Sequence, residues 1–265
     1  MTDMTGPSLP AAKTARTDRY AAFAAIYDVW QNQFHPPFWE YVLQRTGHLV
    51  GTVGTVLDLA CGTGAWSLPM ARAGATVYAV DRSGAMLREL KKKRGRLPIH
   101  AQQASMTDFR LPEPVDAAGC FFDSLNHLAS LAELQATFHC VAAALRPGAP
   151  FLFDLNNEAC FRHLWEGHFI THAPDYTVTM ISHYDEMRRQ AASDVVVFLP
   201  LPGKSGRMRL YRQQRTVIEE RCFTDDEVRK ALRAAGFTRI QTEPVSPFPE
   251  ISADPLKTWW SARRA

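Results

Sequence analysis

Two kinds of hydrophobic pattern divide the chain. Over residues 55–156, short apolar runs alternate with segments in which apolar residues recur every three or four positions. That alternation is typical of strands and helices that build a mostly parallel sheet. Over residues 157–220 the period changes to two, as in 176–184, 193–199 and 208–218, which indicates an antiparallel meander. We therefore predict an α/β fold with seven mostly parallel strands, flanking helices and an inserted β-meander.

Capping residues and glycines predict where the helices begin and end. Ser83 follows the second predicted strand and is placed to cap a helix that Gly95 ends. Thr224 and Glu227 have the spacing of a capping box, as do Ser130 and Glu133 further back. These signals lie at the ends of segments whose apolar residues have helical spacing, in both α/β portions of the chain.

The same patterns suggest a domain organisation. Residues 19–156 and 221–265 are predicted to form one α/β domain, and residues 157–220 an inserted subdomain that serves as a lid, a substrate platform or a dimer contact. The small and polar residues 1–18 are predicted to be disordered. No repeat and no Pro- or Gly-rich linker interrupts the chain.

Composition narrows the class of protein. With 265 residues, 46% hydrophobic and 22% charged, the chain is typical of globular proteins with a sizeable core. A net charge of +3 and one dense basic cluster, 91–94, give no reason to expect a nucleic-acid partner. Five widely spaced cysteines without a CxxC pair predict neither disulfides nor a metal site. We expect a cytoplasmic protein with no membrane segment.

A glycine turn follows the first predicted strand. Gly62 and Gly64 permit close approach of the backbone to a ligand, and ligands of such sheets lie beyond the carboxyl ends of the strands. Asp58 lies inside the first strand, and Asp81 ends the second. A carboxylate at that second position is suited to the two hydroxyls of a ribose. Alternatively, Asp81 only caps the next helix and Asp58 only shapes the loop.

The segments VLDLACGTG, AVDRS and LRPGAPFLFDLN are similar to motif I, the acidic strand end and the fifth-strand segment of class I S-adenosylmethionine-dependent methyltransferases. YDVW, DSLNHL and the meander resemble the small-molecule N-methyltransferase branch, which includes amino-sugar N,N-dimethyltransferases and glycine N-methyltransferase. The resemblance implies a Rossmann-like sheet, S-adenosylmethionine as cofactor and S-adenosylhomocysteine as product.

The predicted cofactor site joins the glycine turn and its acidic partners to the end of the third strand, with two aromatics reaching over from the N-terminal helix. Its residues are Tyr27, Trp30, Asp58, Ala60, Gly62, Gly64, Asp81, Ser105, Met106, Thr107 and Phe121. The family often has an acid just before the hydrophobic residue that covers adenine, where this chain has Ser105. Recognition of the adenine amino group is therefore expected to shift to Ser105 or Asp108.

His127 is the candidate general base or acceptor-orienting group. It follows the fourth strand, and an unperturbed histidine pKa of about 6.5 suits proton removal near neutral pH. Asp123, Ser124 and Asn126 are candidates for hydrogen bonds to the acceptor, and Trp165 for the wall of its pocket. The alternative for His127 is a helix cap or a packed side chain.

We predict methyl transfer from S-adenosylmethionine to an amine or hydroxyl of a small molecule, by an enzyme that forms a homodimer. An NAD(P)-dependent oxidoreductase is one alternative, because Gly62, Gly64 and Ser67 approximate a dinucleotide-binding spacing. A catalytically inactive S-adenosylmethionine-binding protein is another.

Overall fold

The computed structural model describes residues 18–34, 36–49, 51–201, 210–246, 252 and 254–265. The predicted disorder of residues 1–18 therefore concerns a segment that lies, apart from Asp18, outside the described residues. In the part of the chain that is described, no helix combines the length and the apolar character needed to cross a membrane.

Seven strands form the larger sheet, in the order β3-β2-β1-β4-β5-β11-β10. The first five strands in the chain run parallel, and β11 runs antiparallel to both β5 and β10. This arrangement confirms the predicted Rossmann-like fold. The strands are β1 (Thr55–Leu59), β2 (Thr76–Asp81), β3 (Ile99–Gln103), β4 (Ala117–Cys120), β5 (Pro150–Asn156), β10 (Phe237–Val245) and β11 (Lys257–Arg264).

Helices cover both faces of this sheet and begin where the capping residues predict. The Ser83 hydroxyl accepts from the Met86 amide at 3.1 Å, and Thr224 and Glu227 form a complete capping box. The helices are α1 (Tyr27–Phe34), α2 (Pro36–Thr46), α3 (Ser67–Arg72), α4 (Gly84–Arg94), α5 (Leu131–Ala144), α6 (Glu158–Leu164) and α7 (Asp225–Ala234).

The fourth strand is shorter than its apolar run predicts. We predict a strand over residues 115–122, whereas β4 ends at Cys120. Phe122 and Asp123 take left-handed backbone conformations, with φ of 65° and 52°. Their amides donate to the Asp154 carboxylate at 2.6 and 2.9 Å, so a buried acid on the neighbouring strand turns the chain away from the sheet.

The second sheet is a four-stranded antiparallel meander in the order β6-β7-β8-β9. The pattern of period two predicts three of these strands, although residues 202–209 between the last two lie outside the described residues. It does not predict β6, an edge strand whose side chains are mostly exposed and therefore carry no alternation. The strands are β6 (Gly167–Ala173), β7 (Tyr176–Asp185), β8 (Gln190–Pro200) and β9 (Tyr211–Arg221).

Asn126 joins the two sheets. Its side chain is fully buried. The amide nitrogen donates to the carbonyls of Asn156, at 3.3 Å, and Arg221, at 2.8 Å, while the amide oxygen accepts from the Asn156 backbone at 3.0 Å. These bonds tie the end of β5 to the end of β9. The inner face of the meander is thereby held over the carboxyl ends of the parallel strands.

Candidate functional site

A cavity of about 530 Å³ lies between the carboxyl ends of the parallel strands and the inner face of the meander. The N-terminal residues 18–30, which we call the strap, form a third wall. The lining residues belong to the strap, the ends of β1, β2 and β3, the turn after β4, and the meander. Among them are Tyr20, Tyr27, Trp30, Ala60, Gly62, Asp81, Ser105, Met106, Thr107, Asp123, Ser124, His127, Trp165, Met180, Val195, Ile218, Glu220 and Lys257.

One end of the cavity is built from the glycine turn and Asp81. The Gly62 amide donates to one oxygen of the Asp81 carboxylate at 2.8 Å, and the Ser83 amide donates to the other at 2.7 Å. A side chain added at Gly62 would meet no atom within 4 Å, so the backbone there faces open space. Burial raises the pKa of Asp81, although its two backbone hydrogen bonds oppose the shift. This end presents a carboxylate and exposed backbone to a polar ligand.

Ion pairs and hydrogen bonds attach the strap to three other parts of the molecule. The Asp18 carboxylate accepts from the Ser83 hydroxyl at 2.9 Å and the Ala85 amide at 3.2 Å, at the start of α4. Arg19 pairs with Glu219 of β9. Further along the strap, Asp28 accepts from the hydroxyl of Thr63 in the glycine turn.

The opposite end of the cavity contains a buried ion triad. Lys257, at the start of β11, donates to Asp123 at 2.7 Å and to Asp154 at 2.9 Å. Burial opposes ionisation of all three groups. For Lys257, the two carboxylates outweigh the effect of burial and raise the pKa above its ordinary value. For Asp123, the adjacent ammonium likewise outweighs burial, and the pKa lies below its ordinary value. Asp123 is therefore an anion at neutral pH.

Glu220 projects from β9 into this end of the cavity, and its side chain is only 3% exposed. One carboxyl oxygen accepts from the Asn156 side-chain amide at 3.2 Å, and the carboxyl group also hydrogen-bonds to Asp123. Burial and the Asp123 charge raise the pKa of Glu220 well above its ordinary value. Glu220 is thus held in its protonated form beside an ionised partner.

His127 lies between the strap and the meander. Nδ1 is 3.2 Å from the Glu219 carbonyl, and Nε2 is 2.7 Å from the Tyr20 hydroxyl. A carbonyl only accepts, so Nδ1 carries the proton and Nε2 accepts from Tyr20 in the neutral ring. Burial lowers the pKa of His127, against the opposing charge of Asp123. The imidazole is therefore neutral, with both nitrogens engaged.

Comparison with known proteins finds similarity to methyltransferases. A family model described as a methyltransferase domain matches residues 56–148. A putative methyltransferase of Geobacillus sp. (strain WCH70) is 25% identical over 226 residues, 84% of this chain and 90% of that protein. The dTDP-3-amino-3,6-dideoxy-alpha-D-glucopyranose N,N-dimethyltransferase of Streptomyces fradiae is 28% identical over 189 residues, 69% of this chain and 70% of that protein. The chain contains a methyltransferase domain, as the resemblance predicts.

The fold agrees with this assignment. An S-adenosylmethionine-dependent methyltransferase from Clostridium acetobutylicum superimposes with a TM-score of 0.74 at 18% identity, covering 93% of this chain and 99% of the other. Neither the oxidoreductase nor the inactive binding protein is supported by the comparisons.

Five of the residues predicted for the methyltransferase site are not among those that line the cavity. Asp58 is buried beneath the turn and accepts from Ser67. Phe121 is packed in the core, stacked on Trp259 at 5.5 Å between ring centroids. Asn126 bonds the two sheets together, and Gly64 faces Leu90. These four residues support the site from behind. Asp108, the alternative to Ser105 for the adenine amino group, is exposed and also lies outside the cavity lining, whereas the other predicted residues lie at the cavity wall.

The structure also brings forward residues that the sequence does not single out, chiefly Glu220, Lys257 and Tyr20. A signal existed for Glu220, since the alternation through Ile218 continues to it and places both on the inner face of β9. For Lys257 and Tyr20 no local pattern marks a role, because their partners lie far away in the chain.

The glycine turn provides a test of backbone fit. Gly64 has a φ of +91°, and an added Cβ would lie 2.3 Å from a methyl carbon of buried Leu90. Gly64→Ala is expected to lower the free energy of unfolding by about 1–3 kcal/mol through strain and overpacking, measured by urea denaturation. Gly74→Ala is the matched control, with a φ of +99° and no atom within 4 Å. An equal loss in both variants would show that backbone strain alone, not the Leu90 contact, is responsible.

Proposed function

We propose that this methyltransferase transfers a methyl group to the amine of a small molecule. The observation that carries the proposal is the set of carboxyl groups at the acceptor end of the cavity. Asp123 and Glu220 line this end and Asp154 lies buried behind it, while Lys257 is the one ammonium group among the described residues of this cluster. An excess of carboxyl groups favours a cationic ligand over a neutral hydroxyl compound.

Size and relatives support a small acceptor. Cavities of about 300–1,000 Å³ are typical of small-molecule sites, and this one has about 530 Å³. The Streptomyces fradiae relative is named as an N,N-dimethyltransferase of an amino sugar, which is consistent with an amine acceptor. We further propose that the meander, within the inserted residues 157–220, forms the roof of the acceptor pocket.

The glycine-turn end of the cavity fits S-adenosylmethionine. Asp81 has a carboxylate at the end of β2 that is suited to a pair of ribose hydroxyls, and the open space beside Gly62 admits a ligand against the backbone. Met106 and Thr107 would flank the adenine, with Ser105 near its amino group. Tyr27 and Trp30 would cover the cofactor from the strap.

S-adenosylmethionine supplies a methyl group on a positively charged sulfur. The contribution of the protein is then to align the acceptor and to exclude water, which in favourable model reactions is worth about 7–11 kcal/mol. Tyr27 and Trp30 present aromatic faces that attract cations. We propose that His127, with both nitrogens engaged, orients the acceptor through Tyr20, and that Ser124 supplies a hydrogen bond.

The test is an acceptor screen with S-adenosylmethionine, using small primary amines and the alcohols that match them in carbon skeleton. Formation of S-adenosylhomocysteine with amines, and not with the matched alcohols, is the expected result. Turnover confined to the alcohols, or to a protein or tRNA substrate, would contradict the proposal.

His127 is expected to affect turnover rather than cofactor binding. His127→Ala removes the acceptor of the Tyr20 hydroxyl proton, and should lower kcat about 10-fold or more while leaving the S-adenosylhomocysteine dissociation constant within twofold. Steady-state kinetics and calorimetric titration measure the two quantities. His139→Ala on the exposed face of α5 is the control. Wild-type turnover in His127→Ala would remove His127 from the acceptor site.

A further inference from the structure

We propose that Glu220 is a catalytic residue that exchanges a single proton with the acceptor amine. The amine binds as a cation, and transfer of one of its protons to Glu220 leaves it bound as a neutral nucleophile. This inference rests on the proposed amine acceptor. It adds a residue that the sequence motifs do not include, and a specific path for the proton.

The position of Glu220 supports this role. Its carboxyl group lines the cavity and is surrounded by polar groups from several elements. Asn156 of β5 donates to one oxygen at 3.2 Å, and Nε2 of His127 lies 3.6 Å from the other. Asp123, after β4, hydrogen-bonds to the same carboxyl group, and Lys257 of β11 lies on the far side of Asp123. Tyr20 reaches the cluster from the strap through His127.

Two carboxyl groups in contact cannot both be ionised without a large repulsion, so they share one proton. Lys257 decides which of them holds it. Because Lys257 donates directly to Asp123, the charge belongs on Asp123 and the proton on Glu220. The site without acceptor therefore holds a proton that an incoming cation can replace.

The neighbouring groups are less suited to accept a proton from the amine. Both nitrogens of His127 are engaged, by Glu219 and Tyr20. Asp123 is neutralised by Lys257. Burial raises the pKa of the Tyr20 hydroxyl well above its ordinary value, so that group keeps its proton. Glu220 alone in this cluster combines access to the cavity with a carboxyl group that no cation pairs directly.

The proton balance runs through Glu220. An acceptor arrives as an ammonium ion, and the Glu220 proton leaves to solvent. One ammonium proton then passes to the Glu220 carboxylate, which leaves the amine lone pair free. That lone pair forms the new N–C bond while the S–C bond breaks and its electron pair stays on sulfur. The methylated product is again an ammonium ion, and loss of one proton to solvent would permit another transfer.

The walls of the cavity support such an exchange. Met180, Val195 and Ile218 of the meander present apolar side chains to the cavity. A wall that excludes water lowers the local dielectric constant and strengthens the interaction between an ammonium and a carboxylate. It also brings the pKa values of the amine and the carboxyl closer together, because burial disfavours both charged forms.

The test is Glu220→Gln, which keeps the shape and the oxygen that accepts from Asn156 but cannot take up a proton. With an amine that the wild type methylates, kcat is expected to fall about 100-fold or more, with S-adenosylhomocysteine affinity within twofold of wild type. The residual rate should rise with pH up to the solution pKa of the amine. Glu186→Gln, an exposed position of the meander, is the control and should retain wild-type kinetics.

A second readout does not require turnover. Calorimetric binding of the amine to the complex with S-adenosylhomocysteine, in two buffers of different ionisation enthalpy, should show release of nearly one proton at pH 7. That release should be lost in Glu220→Gln. Wild-type kcat and proton release in the variant would overturn the proposal, as would a parallel loss of S-adenosylhomocysteine affinity, which would indicate a structural role.

Two further outcomes separate this inference from its premise. If the wild type methylates only alcohols, the amine proposal fails, and that is seen before any variant is made.

The ligand atoms of Asp123, His127 and Glu220 lie within 4.8 Å of one another, a spacing compatible with a metal ion. Loss of wild-type turnover in a chelator, with recovery on adding a divalent cation, would indicate that the cluster holds a metal ion instead of a shared proton. That result would overturn the role proposed for Glu220.

Discussion

Lys257→Met is expected to lower the free energy of unfolding by about 3–5 kcal/mol at pH 7, the usual range for breaking a buried ion pair by removing one partner. Without the ammonium, Asp123 and Asp154 would face each other as uncompensated buried charges. The variant must then either keep that repulsion or take up a proton. Urea denaturation of both proteins measures the difference.

The pH dependence of this loss has a definite sign. In the wild type, Lys257 lowers the pKa of Asp123, so its stabilisation is present above the ordinary aspartate pKa and is lost as the pH falls through the lowered value. In Lys257→Met the pKa of Asp123 rises instead, and the pKa of Asp154, which burial already raises in the wild type, rises further. Protonation at lower pH then relieves the repulsion. The difference in free energy of unfolding between the two proteins should therefore become smaller from pH 7 to pH 5.

Lys92→Met is the control for Lys257→Met. Lys92 is paired with Glu89 on α4, but its side chain is 68% exposed, and exposed ion pairs contribute at most about 1 kcal/mol. A loss in Lys257→Met as small as in Lys92→Met, or a gap that widens at low pH, would show that the triad does not stabilise the turn after β4.

Asp81→Ala is expected to weaken S-adenosylhomocysteine binding by about 10- to 10,000-fold. Hydrogen bonds to a charged group contribute about 1.5–3 kcal/mol each, and we propose that Asp81 makes one or two of them to the ribose. The substitution also removes the acceptor of the Gly62 and Ser83 amides, so the glycine turn loses its anchor. Isothermal titration calorimetry measures the affinity.

Two variants make this result specific. Asp81→Asn keeps an acceptor oxygen and should retain part of the affinity, while Asp175→Asn, in an exposed turn of the meander, should bind as the wild type does. Unchanged affinity in Asp81→Ala, with the fold intact by circular dichroism, would contradict the assignment of Asp81 to the cofactor.

The helix boundaries were predictable because their causes are local. Ser83 caps α4 through an amide three residues ahead, and Thr224 with Glu227 caps α7 in the same way. The end of β4 was not predictable, because the apolar run continues to Phe122 and the turn is imposed by Asp154 on another strand. Nor was β6, since an exposed edge strand needs no alternating pattern.

The cofactor half of the site could largely be predicted from the sequence, because its residues follow from the order of neighbouring strands. Gly62 and Asp81 lie in two successive units of the sheet, and the parallel topology brings the carboxyl ends of neighbouring strands together. Asp58 belongs to the same motif as Gly62, and Phe121 lies in the predicted fourth strand, but strand alternation alone did not reveal that their side chains point into the core rather than the cavity.

The sequence by itself determined the fold class, the glycine turn and the family, because these depend on short contiguous segments with strong local preferences. The acceptor end was decided only by the tertiary structure. Asp123, Glu220 and Lys257 come from three distant segments that Asn126 and the sheet pairings bring together. Their protonation states follow from mutual distance and burial, and neither quantity is encoded in the sequence near any one of them.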